Sequence, residues 1–150
     1  MKFTKTNMQK IFYVTFSSIP SELPSSLQII KTCESFVKNN YDVTLIKPST
    51  GLKNITIKKF YDLKYHVNIN EFKFVKKFPR GLDFYIFSVY CLYIILKNKK
   101  SITITRNYFT CFLLTLFKKK VVLEIHHDTN VEGRITKFIL RYFNFLNSEY

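Results

Sequence analysis

The sequence holds no alanine, only three glycines and four prolines, three cysteines, and 10 acidic residues against 24 lysines and arginines. Missing alanine beside abundant Lys, Asn, Ile, Phe and Tyr is the pattern of an AT-rich genome. Much of the formal net charge of +14 then follows from codon usage, which weakens the nucleic-acid or anionic-membrane reading that clustered lysines invite. Scarce glycine removes the G-x-G-x-x-G dinucleotide fingerprint, since "SSIPSELPSS" stands where it would follow the first strand. P-loop, HEXXH, GxSxG and kinase signatures are absent as well. Cys33, Cys91 and Cys111 are far apart and sit in apolar periodic segments, so neither a disulfide framework nor a CxxC site is indicated. They read as small core hydrophobes in a reducing compartment.

Long hydrophobic runs are also missing. "FYIFSVYCLYIIL", Phe84 to Leu96, is apolar on every side but shorter than the roughly 20 residues that cross a bilayer. It predicts a buried helix. "IFYVTFSSI" follows lysines as a signal peptide would, yet has no small-x-small cleavage site and leads into an amphipathic pattern. It predicts a core strand in a cytoplasmic protein. A chain of 150 residues, 47% hydrophobic, suits one domain.

What is present alternates between two periods. "KIFYVTF", Lys10 to Phe16, has the continuous apolar character of a parallel strand covered on both faces. Ser25 or Ser26 then caps a helix with Ile29, Cys33, Phe36 and Val37 on one face. "YDVTLIKP" is a strand closed by Pro48, and "KNITIKKFYDLKYHV" alternates enough for one or two short strands. The stretch from about Asn68 to Leu82 reads as irregular. The apolar helix follows, then "SITITRN", a strand ending at Arg106, then a helix with Phe109, Phe112, Leu113, Leu116 and Phe117 on one face, then the strand "KVVLEIHH". Ile135, Phe138, Ile139, Tyr142, Phe143 and Leu146 form a core-facing stripe on a last helix. Strands alternating with helices predict right-handed crossovers and an α/β, Rossmann-like, mostly parallel sheet with helices on both faces.

Ligands of such sheets bind beyond the carboxyl ends of the strands. That rule selects Ser17 and Ser18 after the first strand, Arg106 and Asn107 after "SITIT", and His126, His127 and Asp128 after "VVLEI". The lysine runs "KNKK" and "KKK" fall on the opposite rim, where solvated helix ends are the plain reading. Thr129 and Glu132 form a T-x-x-E capping box, so a helix begins just after the histidines, and its N–H groups suit a phosphate or carboxylate. An imidazole there could accept a proton or bond a sugar hydroxyl, with Asp128 orienting it. It could equally end a strand on a neighbouring carbonyl, with His127 and Asp128 solvated. H-H-D without a further ligand is a weak zinc signal, and nothing visible requires a metal or cofactor. His66 reads as ordinary surface. Arg106 could clamp an anionic ligand or pair with Glu124 or Asp128. Glu124, in a strand that reads as central, needs a partner, and Arg106 is the obvious one.

"IIKTCESFVKNNYDVTLIKPS" and "SITITRNYFTCFLLTLFKKKVVLEIHHD", in this order and spacing, resemble the amino-terminal domain of GT-B-fold glycosyltransferases of the family-4 type over nearly the whole chain. Asn40 stands where that family has glycine. The resemblance implies an acceptor-side domain in which His126, of E-x-H, lies in the cleft as the catalytic-site histidine, with Arg106 supporting it. His127, Asp128, Asn107, Ser17 and Ser18 would contact substrate. The glycine pair usual in the first loop is missing, which puts close approach to a donor diphosphate in doubt. It further implies retaining transfer of a sugar from a nucleotide-sugar donor to a glycan or lipid-linked acceptor. Peripheral contact at the inner face of the membrane is a separate expectation, and nucleic acid is not an expected partner, since no aromatic-basic repeat of a recognised nucleic-acid motif is present. No E-x7-E motif or second Rossmann-like domain is visible, and "NSEY" stands where another strand is due. The expectation is a fragment lacking the carboxyl-terminal donor domain and inactive alone. Two competitors remain: a stand-alone basic module binding nucleic acid or anionic membrane, and a single-domain enzyme on a small anion with His126 as base.

Overall fold

The computed structural model describes residues 8–51, 54–73 and 81–125, with positions 137, 138 and 141. The chain runs β1 (Lys10–Val14), α1 (Pro24–Lys38), β2 (Asp42–Pro48), α2 (Asn54–Phe60), β3 (Asn68–Phe72), α3 (Leu82–Leu96), β4 (Ser101–Thr105), α4 (Tyr108–Leu116) and β5 (Lys120–Leu123). Every pairing is parallel, in the order β3-β2-β1-β4-β5. The α/β Rossmann-like class holds, with a switch in strand order between β1 and β4.

Period-two alternation sends each strand into two cores. Ile11, Tyr13, Val43 and Leu45 pack with Ile29, Ile30 and Cys33 of α1 and Ile57 of α2. Phe12, Val14 and Ile46 pack on the other face with Phe87, Cys91 and Ile95 of α3 and Leu114 of α4. The three cysteines are free and buried, as their apolar settings suggest.

Scarce glycine has a visible consequence. Helices α1, α2 and α4 each end on a left-handed residue that is not glycine: Asn40 (φ 63°), Asp62 (φ 48°) and Lys118 (φ 52°). After α1 the Asn40 N–H bonds the Val37 carbonyl at 3.0 Å and the Tyr41 N–H bonds that of Phe36 at 3.1 Å, a Schellman turn. The rings of Phe36 and Tyr41 meet edge to face at 5.9 Å, the apolar contact that accompanies this turn.

Several expectations are corrected. The first helix begins at Pro24, not at a serine cap: Leu23 is the N-cap, and proline suits a first turn whose N–H has no partner. Ser26 instead ties the loop down, its hydroxyl reaching the Ser18 carbonyl at 3.2 Å. "NITIKKF" is helix α2, because Ile57 and then Tyr61 fall four apart and both reach the core. Asn68–Phe72, expected to be irregular, is strand β3, at one edge of the sheet among the described residues. Its Glu71 meets Lys47 of β2 at 2.6 Å, and the Lys47 side chain is fully buried.

Among the described residues helix α3 is covered on the face that carries Phe87, Cys91 and Ile95, while Val89 and Tyr93 are more than half exposed. In α4 the sheet-facing residues are Thr110, Cys111 and Leu114, while Leu116 and Phe117 are exposed. A helix apolar all round carries no stripe to set its rotation, so the Asn107 cap and the small residues set it. Glu124 directly follows β5, which among the described residues is an edge strand and not the central one expected. Phe138 is 67% exposed, contrary to its place in a core-facing stripe. Periodicity shows which residues share a face, not whether another surface meets it. The rest of that stripe and the Thr129–Glu132 box lie outside the described residues.

Candidate functional site

The carboxyl ends of β1, β4 and β5 meet at the switch in strand order, the place where ligands of such sheets collect. Register decides what gathers there. Thr105 pairs with Leu123, so the next positions, Arg106 and Glu124, fall side by side. Tyr13 of β1 pairs with Ile104, two residues before Arg106, and so shares its face of the sheet.

Two parallel bonds join the side chains: Arg106 Nε donates to Glu124 Oε2 and Arg106 Nη2 to Oε1, both at 3.1 Å. This is the bidentate pairing that suits a guanidinium. The Tyr13 hydroxyl donates to Glu124 Oε2 from the core side. Burial raises the Tyr13 hydroxyl well above its ordinary range, and the bond to the carboxylate adds to this. Burial disfavours the Arg106 charge, but Glu124 outweighs it and raises the guanidinium further. The outcome is a carboxylate held between a cation and a phenol.

Above this group lies a recess of about 350 Å³ lined by Ser17, Pro24, Ser25, Gln28, Arg106, Tyr108 and Glu124. A second, of about 260 Å³, is bounded by Thr15, Phe16, Ser17, Phe84, Arg106 and Asn107. Ser17 and Arg106 are shared by both. The paired groups give this rim a fixed acceptor in Glu124, and Ser17, Ser25, Gln28 and Tyr108 add hydroxyl and amide groups. Such a lining suits a ligand rich in hydroxyls.

The fold is glycosyltransferase-like. It is similar to that of a solved structure, "Crystal Structure of Glycosyltransferase from Rickettsia africae ESF-5", with a TM-score of 0.56 and 16% sequence identity. The match covers 88% of this chain but 33% of the other, so the chain spans about a third of that protein's length. Neither a protein-family model nor a curated protein matches the sequence. At this identity the likeness speaks for the fold.

Of the residues singled out in the sequence, Arg106 and Ser17 come together at the recess, and Arg106 takes Glu124 as its partner. Ser18 is exposed and outside both linings. Asn107 borders the second recess and is 4% exposed; its side-chain oxygen caps α4 by accepting the Thr110 N–H at 3.0 Å, and its amide donates to Ser88. Both ends of the amide are used within the protein. His126, His127 and Asp128 lie outside the described residues, and the chain reaches them directly from Glu124 and Ile125. Tyr13 was missed because a tyrosine inside an apolar run gives no sign of how its hydroxyl is used. Its place one strand from Arg106 was the available signal. No helix of the described residues is long and apolar enough to cross a membrane, and no cluster of three metal-ligating side chains occurs among them.

Proposed function

We propose that this chain is the acceptor-side half of a retaining glycosyltransferase. The observation that carries the reading is the Arg106–Glu124–Tyr13 group, set beneath a hydroxyl- and amide-lined recess at the carboxyl rim of the sheet. The glycosyltransferase-like fold supports it. In this reading Glu124 and Arg106 hold the strand end from which His126 approaches the reacting sugar. Ser17, His127 and Asp128 contact the acceptor, a glycan or a lipid-linked sugar, and Arg106 shapes the cleft. A second domain supplies the nucleotide-sugar site, and the lysine-rich opposite rim is available for peripheral contact with a membrane.

The chemistry asked of this half is positional. It would present one acceptor hydroxyl to the anomeric carbon while the other half stabilises the departing diphosphate. The test is sugar transfer by a protein carrying both halves. His126→Ala should lower kcat by about 100-fold or more, the range of a lost acid–base or positioning group. Undiminished transfer by that variant would end the assignment.

A further inference from the structure

Asp83 is the one charged residue of α3, "LDFYIFSVYCLYIIL", and a helix so apolar on every side normally has cover all round. Here one side is bare. Among the described residues Phe87, Cys91, Leu92 and Ile95 pack on the sheet, whereas Leu82 is 47% exposed, Val89 55%, Tyr93 56% and Leu96 36%. Tyr85, part-buried, completes the exposed row. At about 100° per residue these five side chains fall within roughly 80° of the helix circumference, so they form one stripe along its length.

The stripe is a palindrome: counted from Val89, leucine stands seven residues away on either side and tyrosine four residues away on either side. An isologous contact sets each residue against its symmetry-related position. Two copies packed α3 on α3, antiparallel about a two-fold axis at Val89, therefore bring Leu82 to the partner's Leu96 and Tyr85 to the partner's Tyr93. Charge obeys the same symmetry. Asp83 begins the helix and Lys97 follows it, both on one flank of the stripe, so antiparallel packing brings a carboxylate to an ammonium twice. The Lys97 ammonium already lies 4.0 Å above the Tyr93 ring, beside the stripe. Helix α4 borders it too, the Tyr85 and Phe109 rings meeting at 4.9 Å, and adds exposed Leu116 and Phe117. A helix of this length is about 22 Å long, and two neighbours about 10 Å apart offer a face of roughly 450 Å². Two copies then cover about 900 Å², near the lower end for a specific interface, which sets the expectation of a weak dimer.

We infer that α3 is a self-association surface through which two copies of this chain form an antiparallel, two-fold dimer. Other occupants would cover the same apolar groups, but none of them calls for the symmetric row or for Asp83 opposite Lys97. The second copy is therefore favoured. The stripe lies on the side of α3 turned away from the sheet, so Arg106, Glu124 and the recess take no part. This inference does not depend on the sugar-transfer reading.

Sedimentation equilibrium of the full chain tests it: over about 1 to 200 µM the mass should rise from 18.0 kDa toward twice that value. Val89→Asp sets two carboxylates at the axis and should weaken association at least tenfold. Lys97→Asp should weaken it about fivefold, since each Asp83 then meets a like charge, and adding Asp83→Lys should restore it to within about twofold. Both changes oppose the helix dipole, so their effects on the helix itself would add, and recovery can come only from the pairing. Phe60→Asp changes an exposed ring on α2, across the sheet, and should stay within about twofold. Unchanged urea midpoints would verify folding, and should Val89→Asp not fold, Tyr93→Ser takes its place. A monomer throughout, undiminished association of Val89→Asp, or a charge exchange that restores nothing would overturn the inference. So would a monomer that floats with lipid vesicles, or one whose urea midpoint falls on Val89→Asp, which would give the stripe to a membrane or to a segment of the chain itself.

Discussion

Replacing Glu124 by glutamine keeps the shape of the site and removes its charge. The Arg106 and Glu124 side chains are 16% and 27% exposed, so the pair is neither a solvated surface pair nor a fully buried one. Surface pairs are worth about 0.2–1 kcal/mol, and breaking a buried one costs about 3–5 kcal/mol. At an effective dielectric constant near 20 the attraction is about 4 kcal/mol, and desolvation of two partly covered ions offsets about half. Glu124→Gln should therefore cost about 2 kcal/mol, which for a chain of this length lowers Tm by about 4–8 °C. Arg106→Gln should cost about as much, since it removes both parallel bonds to the carboxylate. The double variant should cost clearly less than the two singles together, with a coupling of about 1.5 kcal/mol from urea unfolding. A coupling below about 0.3 kcal/mol would show that the two bonds seen in the structure contribute nothing in solution, and that the recess floor is not held by this pair.

Two further outcomes follow from the core and the helix ends. Lys118 adopts a left-handed conformation that a Cβ disfavours, so Lys118→Gly should stabilise the fold by about 0.5–1 kcal/mol, and a lower urea midpoint would refute this. Burial pushes the Cys33 thiol up to about 12 and the Cys111 thiol up to about 11, and raises Cys91 as well. Groups whose folded value is raised contribute stability that is present below the unfolded value, about 9, and is lost as pH rises toward 11–12. Stability should fall over that window, and the thiols should resist a disulfide reagent at pH 8 until the chain unfolds. Rapid labelling of the native protein would contradict the buried placement.

The alternation of apolar strands with helices was enough to establish the parallel α/β class, because a strand buried on both faces must be apolar throughout. The pairing of Arg106 with Glu124 was also legible, since an acid beside Leu123 and Ile125 needs a cation and the rim rule placed one nearby. Other features depended on partners remote in sequence. Whether "NITIKKF" becomes strand or helix is decided by Ile57 and Tyr61 reaching the α1 core, and local alternation cannot see that core. Which face of α3 and α4 turns inward is set by contact with the sheet, because residues apolar on every side carry no directional signal. Tyr13 entered the site only through the β1–β4 register. Sequence by itself determined composition, periodicity and which residues could stand at strand ends. The order of strands, and hence which ends stand together, comes from long-range packing, where the free energy of burying two faces of one sheet outweighs the local preference of any segment.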